Sequence, residues 1–105
     1  MGIDLSTRVA LVTGARQGIG AAIACALLES GAQVVITGRD QKLVEDSLRR
    51  FADTTGATAR GFVGDVSDER DIARLLEEVP SIDILVNNAG GFLRAVDTMN
   101  SARAD

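Results

Sequence analysis

The first strong pattern along the chain is a continuous apolar run, Val9-Ala10-Leu11-Val12, ending at Thr13-Gly14. Apolar residues without alternation predict a strand buried on both faces, as in a parallel sheet. Beyond a glycine-rich stretch, Ile19, Ala22, Ile23, Ala26 and Leu27 recur at helical spacing, and Gly31 stands where helices commonly end. Val34-Val35-Ile36 predicts a second, β-branched strand. Asp40 is placed to cap a helix carrying Val44, Leu48, Phe51 and Ala52 along one stripe. A weaker third strand is expected over 58–63, interrupted by Gly61. Ser67 stands as the next N-cap, with Asp68, Glu69 and Asp71 placing negative charge near the positive helix end. Ile72, Leu75, Leu76 and Val79 line that helix, which Pro80 helps to stop. A fourth apolar strand is expected over 82–86, running into Asn87-Asn88-Ala89-Gly90-Gly91.

Strands alternating with helices imply right-handed crossovers and a parallel sheet. The expected fold is α/β: a Rossmann-like doubly wound parallel sheet, truncated after the fourth strand, as a single incomplete domain over 1–105. From Ala95 onward polar residues dominate and helical periodicity is poor, so a frayed tail is expected over 95–105. The first two helices should cover one face and the third begin to cover the other. That leaves the fourth strand as an edge, with Ile82, Ile84, Leu85 and Val86 apolar on both sides. Such edges invite association, so pairing with another copy or a complementary chain is expected.

Composition narrows the chemistry. The 105 residues include three Phe but no Trp, Tyr or His, so the core is aliphatic and neither phenol nor imidazole is on hand for acid–base work. A net charge of −4 argues against a nucleic-acid partner. The lone Cys25 is read as a core thiol; one cysteine allows no intrachain disulfide, and a reducing cytoplasmic setting follows. There is no signal peptide and no membrane-length apolar run; no metal site is expected. Gly2 and Ser6 fit the minimal myristoylation pattern, which nothing else in the chain supports. Arg49-Arg50 and Glu77-Glu78 read as solvated helix faces.

The stretch from Thr13 to Gly20, TGARQGIG, joins the first strand to the first helix with Gly14, Gly18 and Gly20 in GxxxGxG spacing. Such glycines allow a tight turn, backbone access to a pyrophosphate and close helix–strand packing, while the helix start favours an anion. Alone, the spacing also fits an ordinary βα turn without a ligand. Asn87 to Gly90 and Asp65-Val66, however, should reach the same carboxyl edge of the sheet, where open α/β folds bind ligands.

Together TGARQGIG, VVITGRD, GDV at Gly64 to Val66, and NNAG at Asn87 to Gly90 resemble the short-chain dehydrogenase/reductases, up to about Leu93. The resemblance implies hydride transfer between a nicotinamide cofactor and a carbonyl or alcohol. It implies that the turn, with Thr13, Gly14, Arg16, Gln17, Gly18, Ile19 and Gly20, holds the pyrophosphate. It further implies that Asp65 and Val66 contact the adenine, that Asn88, Ala89 and Gly90 line the central ribose region, and that Asn87 braces neighbouring strands. The family's reaction uses a Tyr, a Lys four residues on, a Ser and an Asn. The only lysine here is Lys42, and Asn100 and Ser101 follow NNAG too soon. No catalytic residue is therefore expected within this chain.

An acidic residue usually ends the second strand when the cofactor carries a free ribose 2′-OH. Here that position is Gly38, followed by Arg39, whose guanidinium suits a 2′-phosphate, and Arg16 offers a second cation. NADP(H) is thus expected over NAD(H), with Asp40 the alternative ribose partner in a different loop geometry. Competing readings are a non-catalytic dinucleotide-binding module and an interaction domain without bound cofactor.

Overall fold

The computed structural model describes residues 4–88. In chain order the elements are β1 (Val9–Thr13), α1 (Gly18–Glu29), β2 (Gln33–Gly38), α2 (Gln41–Thr55), β3 (Arg60–Val63), α3 (Glu69–Glu78) and β4 (Ile84–Asn87). The strands form one parallel sheet in the order β3-β2-β1-β4. Leu11 sits between Val35 of β2 and Leu85 of β4, so β1 is flanked on both sides. The chain winds outward from β1 to β3, then returns to the far side of β1, reversing direction there. This is the α/β, Rossmann-like arrangement expected from the strand–helix alternation. Its crevice lies at the carboxyl ends of β1 and β4.

Strand residues alternate between two cores. Ala10, Val12, Val34 and Ile36 pack with Ala24 and Leu28 of α1 and with Val44 and Phe51 of α2. Leu11, Val35 and Phe62 pack on the opposite face with Ile72 and Leu75 of α3 and with Val79. Being buried on both faces is why β1 and β2 read as unbroken apolar runs. Among the described residues β4 pairs only with β1, and Leu85 is 39% exposed. No helix among them is long and apolar enough to cross a membrane.

Several local expectations are corrected. The buried row of α1 is Gly20, Ala24 and Leu28, whereas Ala22 and Ala26 are exposed and Ile19 is 74% exposed. α1 is apolar nearly all round, so spacing alone carried no direction. Cys25 lies one step off that row and is half-buried at the margin of the core rather than inside it. α3 is capped by Asp68, whose carboxylate accepts from the Arg70 N–H at 2.8 Å, while Ser67 bonds to Asp65 instead. The third strand starts at Arg60, where pairing with Val35 begins. The fourth starts at Ile84, because Asp83 Oδ2 takes the Val9 N–H at 2.8 Å in place of a ladder carbonyl. Asp40 does cap α2, accepting from the Leu43 N–H. The tail over 95–105 and Gly2 lie outside the described residues.

Candidate cofactor site

The site begins where β1 and β4 end. Thr13 is fully buried; its Oγ1 donates to Asn87 Oδ1 at 3.1 Å and accepts from the Asn88 N–H at 3.0 Å. One hydroxyl thus joins the two strand ends, and Asn87 does brace the sheet. Asn88 Nδ2 then donates to the Gly14 carbonyl at 3.0 Å, tying the fourth strand's exit to the glycine turn.

Two glycines in that turn serve different needs. Gly18 has a φ of +64° with open space around it, so backbone conformation alone demands glycine there. At Gly20 the demand is steric: a Cβ would stand 2.3 Å from the Gly14 carbonyl oxygen and 2.9 Å from Asn88 Nδ2. Close approach of α1 to the turn therefore depends on that missing atom. Gln17, the N-cap of α1, is extended and makes no side-chain cap bond, and the first turn carries no acid. The leading N–H groups of α1 and its positive dipole end are left without a carboxylate.

Two recesses adjoin this helix start. The first, about 250 Å³, is lined by Arg16, Thr37, Gly38, Arg39, Leu43 and Ser47, among others. The second, about 260 Å³, includes Gly14, Gly38, Arg39, Asp65, Val66 and Ser67 in its walls. Gly38 and Arg39 belong to both, so the recesses are neighbours across the end of β2. The side chains of Arg16 and Arg39 make no hydrogen bond or ion pair among the described residues, leaving two cations at the first recess. Asp40, the alternative ribose partner, has its Oδ1 engaged with the Leu43 N–H at 3.2 Å.

The wall around Asp65 is braced from behind. Its N–H donates to Asp71 Oδ2 at 2.7 Å, and its Oδ1 accepts from the Ser67 hydroxyl at 2.6 Å and the Ser67 N–H at 2.9 Å. The Ser67 side-chain bond, followed by the Ser67 backbone bond, lowers the Asp65 carboxyl below its ordinary value near 3.8. Arg74 donates to the Val63 carbonyl at 3.0 Å and lies 4.5 Å from the centre of the Phe62 ring, stiffening the same corner.

The structure therefore gathers Thr13, Gly14, Gln17, Gly18, Ile19, Gly20 and Asn88 around the start of α1. Arg16 and Arg39 stand at the first recess, and Arg39, Asp65 and Val66 at the second. Ala89, Gly90, Asn100 and Ser101 lie outside the described residues. Arg50 is exposed, as expected of a solvated helix face, and its guanidinium also donates to the Arg16 carbonyl. Its partner lies 34 residues away, so helical spacing held no sign of it. No group of three or more potential metal ligands occurs among the described residues.

Residues 8–105 match the short chain dehydrogenase family. The chain belongs to that family of NAD(P)-binding oxidoreductases. It is 37% identical to an uncharacterized oxidoreductase of Staphylococcus saprophyticus, over 97% of this chain and 45% of that protein. Among solved structures it resembles L-sorbose reductase from Gluconobacter frateurii complexed with NADPH and L-sorbose. That match has a TM-score of 0.76 and 32% identity, covering 86% of this chain and 36% of the other. It also resembles the RhlG/NADP active-site complex of Pseudomonas aeruginosa, with a TM-score of 0.72 and 41% identity, over 84% and 36% of the respective chains. The chain spans less than half the length of these relatives.

Proposed function

We propose that this chain forms the NADP(H)-binding portion of a short-chain oxidoreductase. The observation that carries this reading is the end of β2, where Gly38 stands in place of an acid and Arg39 and Arg16 both line a recess of about 250 Å³. A carboxylate there would repel a 2′-phosphate; two guanidinium groups attract one. Of the nearby acids, Asp40 is engaged as the cap of α2 and Asp65, which shares the second recess with Arg39, accepts from Ser67. The glycine turn fits the adjoining pyrophosphate, since its Gly14, Gly18 and Gly20 keep side chains away from the uncapped start of α1. In this reading Asp65 and Val66 border the adenine, and Asn88, Ala89 and Gly90 border the central ribose. Thr13, Gln17 and Ile19 complete the turn around the pyrophosphate.

The bound cofactor would supply the hydride exchanged with a carbonyl or alcohol in the whole protein. The described residues bind and orient it. No Tyr occurs in the 105 residues, and the one Lys, Lys42, is exposed on α2. Without a proton donor for the substrate oxygen, we read this stretch as binding the cofactor without turning it over. Its single cysteine is in keeping with a cytoplasmic setting.

Calorimetric titration tests the cofactor assignment. NADP⁺ is expected to bind about tenfold more tightly than NAD⁺, the scale of one charge-assisted contact. Tighter binding of NAD⁺ overturns the assignment. The side of β4 away from β1, unpaired among the described residues and with Leu85 39% exposed, supports pairing with another copy or a complementary chain. Sedimentation should then show mass rising with concentration, and an unchanging monomer argues against such self-pairing.

A further inference from the structure

Two adjacent arginines on α2 behave differently. Arg49 pairs with Asp46, one turn back on its own helix. Arg50 leaves its helix: Nη2 donates to the carbonyl of Arg16 in the glycine turn and lies 3.3 Å from Ser47 Oγ. Ser47 is 2% exposed and lines the first recess. A buried hydroxyl on α2 thus steadies a guanidinium that holds the peptide joining Arg16 to Gln17, the N-cap of α1. Arg16, Ser47 and Arg50 also line a further recess together with Gln17, Leu43 and Asp46.

We infer that Arg50 is a positioning residue that sets preference for a 2′-phosphate; the inference rests on the NADP(H) reading. A carbonyl held by a guanidinium on the α2 side is kept out of competition with an anion for the crevice, where its negative end would repel phosphate. Fixing that peptide also fixes the backbone from which the Arg16 side chain reaches the first recess. Arg50 does not line that recess, so its effect passes through the Arg16 peptide. The neutral variant Arg50→Met keeps the aliphatic stem while removing the guanidinium whose Nη2 makes both contacts.

The test is calorimetry on the full chain with two probes, adenosine 2′,5′-bisphosphate and AMP, which differ only in the 2′-phosphate. Arg50→Met should weaken the bisphosphate about fivefold to tenfold, on the order of one charge-assisted hydrogen bond, and AMP by less than about twofold. The loss should persist at about 0.5 M salt, where the Debye length is only roughly 4 Å. An unchanged bisphosphate affinity overturns the inference. So does an equal loss for both probes, which marks general disruption, or a loss that vanishes in salt, which marks surface charge alone. If Arg50→Met fails to fold, Arg50→Gln, too short to reach the carbonyl, gives the same readout. A wild-type chain that does not prefer the bisphosphate to AMP defeats the NADP(H) reading itself. A wild-type preference that Arg50→Met leaves intact defeats only the role of Arg50.

Discussion

The three helices among the described residues begin in two different ways. α2 and α3 start at Asp40 and Asp68, whose carboxylates accept from the Leu43 and Arg70 N–H groups. α1 starts at Gln17, which makes no side-chain cap bond and is followed by no acid in the first turn. Capping satisfies otherwise unpaired N–H groups and stabilises a helix by about 1 kcal/mol. Its omission at α1 coincides with the glycine turn, the two arginines and the adjoining recesses. α2 and α3 take their own carboxylates; in the proposed cofactor reading, α1 keeps its positive end for an external anion.

The largest expected effect comes from closing the space that lets α1 approach the turn. Gly20→Ala places a methyl 2.3 Å from the Gly14 carbonyl oxygen. It should cost about 3 kcal/mol in chemical denaturation, as overpacking against backbone does. Near-native stability would mean that the turn retreats easily and that close approach is not what Gly20 provides. Next, Gln17→Asp gives α1 the cap it lacks. The apo chain should gain about 0.5–1 kcal/mol in thermal unfolding while NADP⁺ affinity falls about tenfold or more, since one carboxylate now occupies the anion's place. A stabilised chain with unchanged NADP⁺ affinity breaks the contrast between the helices. The smallest effect sharpens it: Asp40→Ala and Asp68→Ala should each cost about 1 kcal/mol, whereas Gln17→Ala should stay within about 0.5 kcal/mol. Equal losses at all three helix starts would show a cap at α1 that the geometry does not reveal.

Legibility varied with the kind of pattern. The unbroken apolar runs of β1 and β2 and the amphipathic stripe of α2 were readable because burial on two faces, or on one, leaves a direct trace in residue order. The buried side of α1 was not, because alanines, leucines and isoleucines surround it and only packing selects Gly20, Ala24 and Leu28. Asp68 displaced Ser67 as a cap because Ser67 bonds to Asp65. Neighbouring capping residues compete through contacts that residue order does not rank. Of the candidate site, the glycine turn and Asp65-Val66 were found by their positions after strands. Gly38-Arg39 stood out through an acid that is missing. Arg50 stayed hidden because its acceptor is a backbone carbonyl 34 residues away.

By itself the sequence determined the alternation of strands and helices, the parallel sheet and the glycine turn, all properties of local periodicity and of residue types with few conformational options. The tertiary structure alone decided that Thr13 joins Asn87 and Asn88, that Gly20 is needed for steric rather than conformational reasons, and that Arg50 holds the Arg16 peptide. These are contacts between segments distant in the chain. Their energies arise only once the sheet has brought the ends of β1, β2 and β4 to one edge.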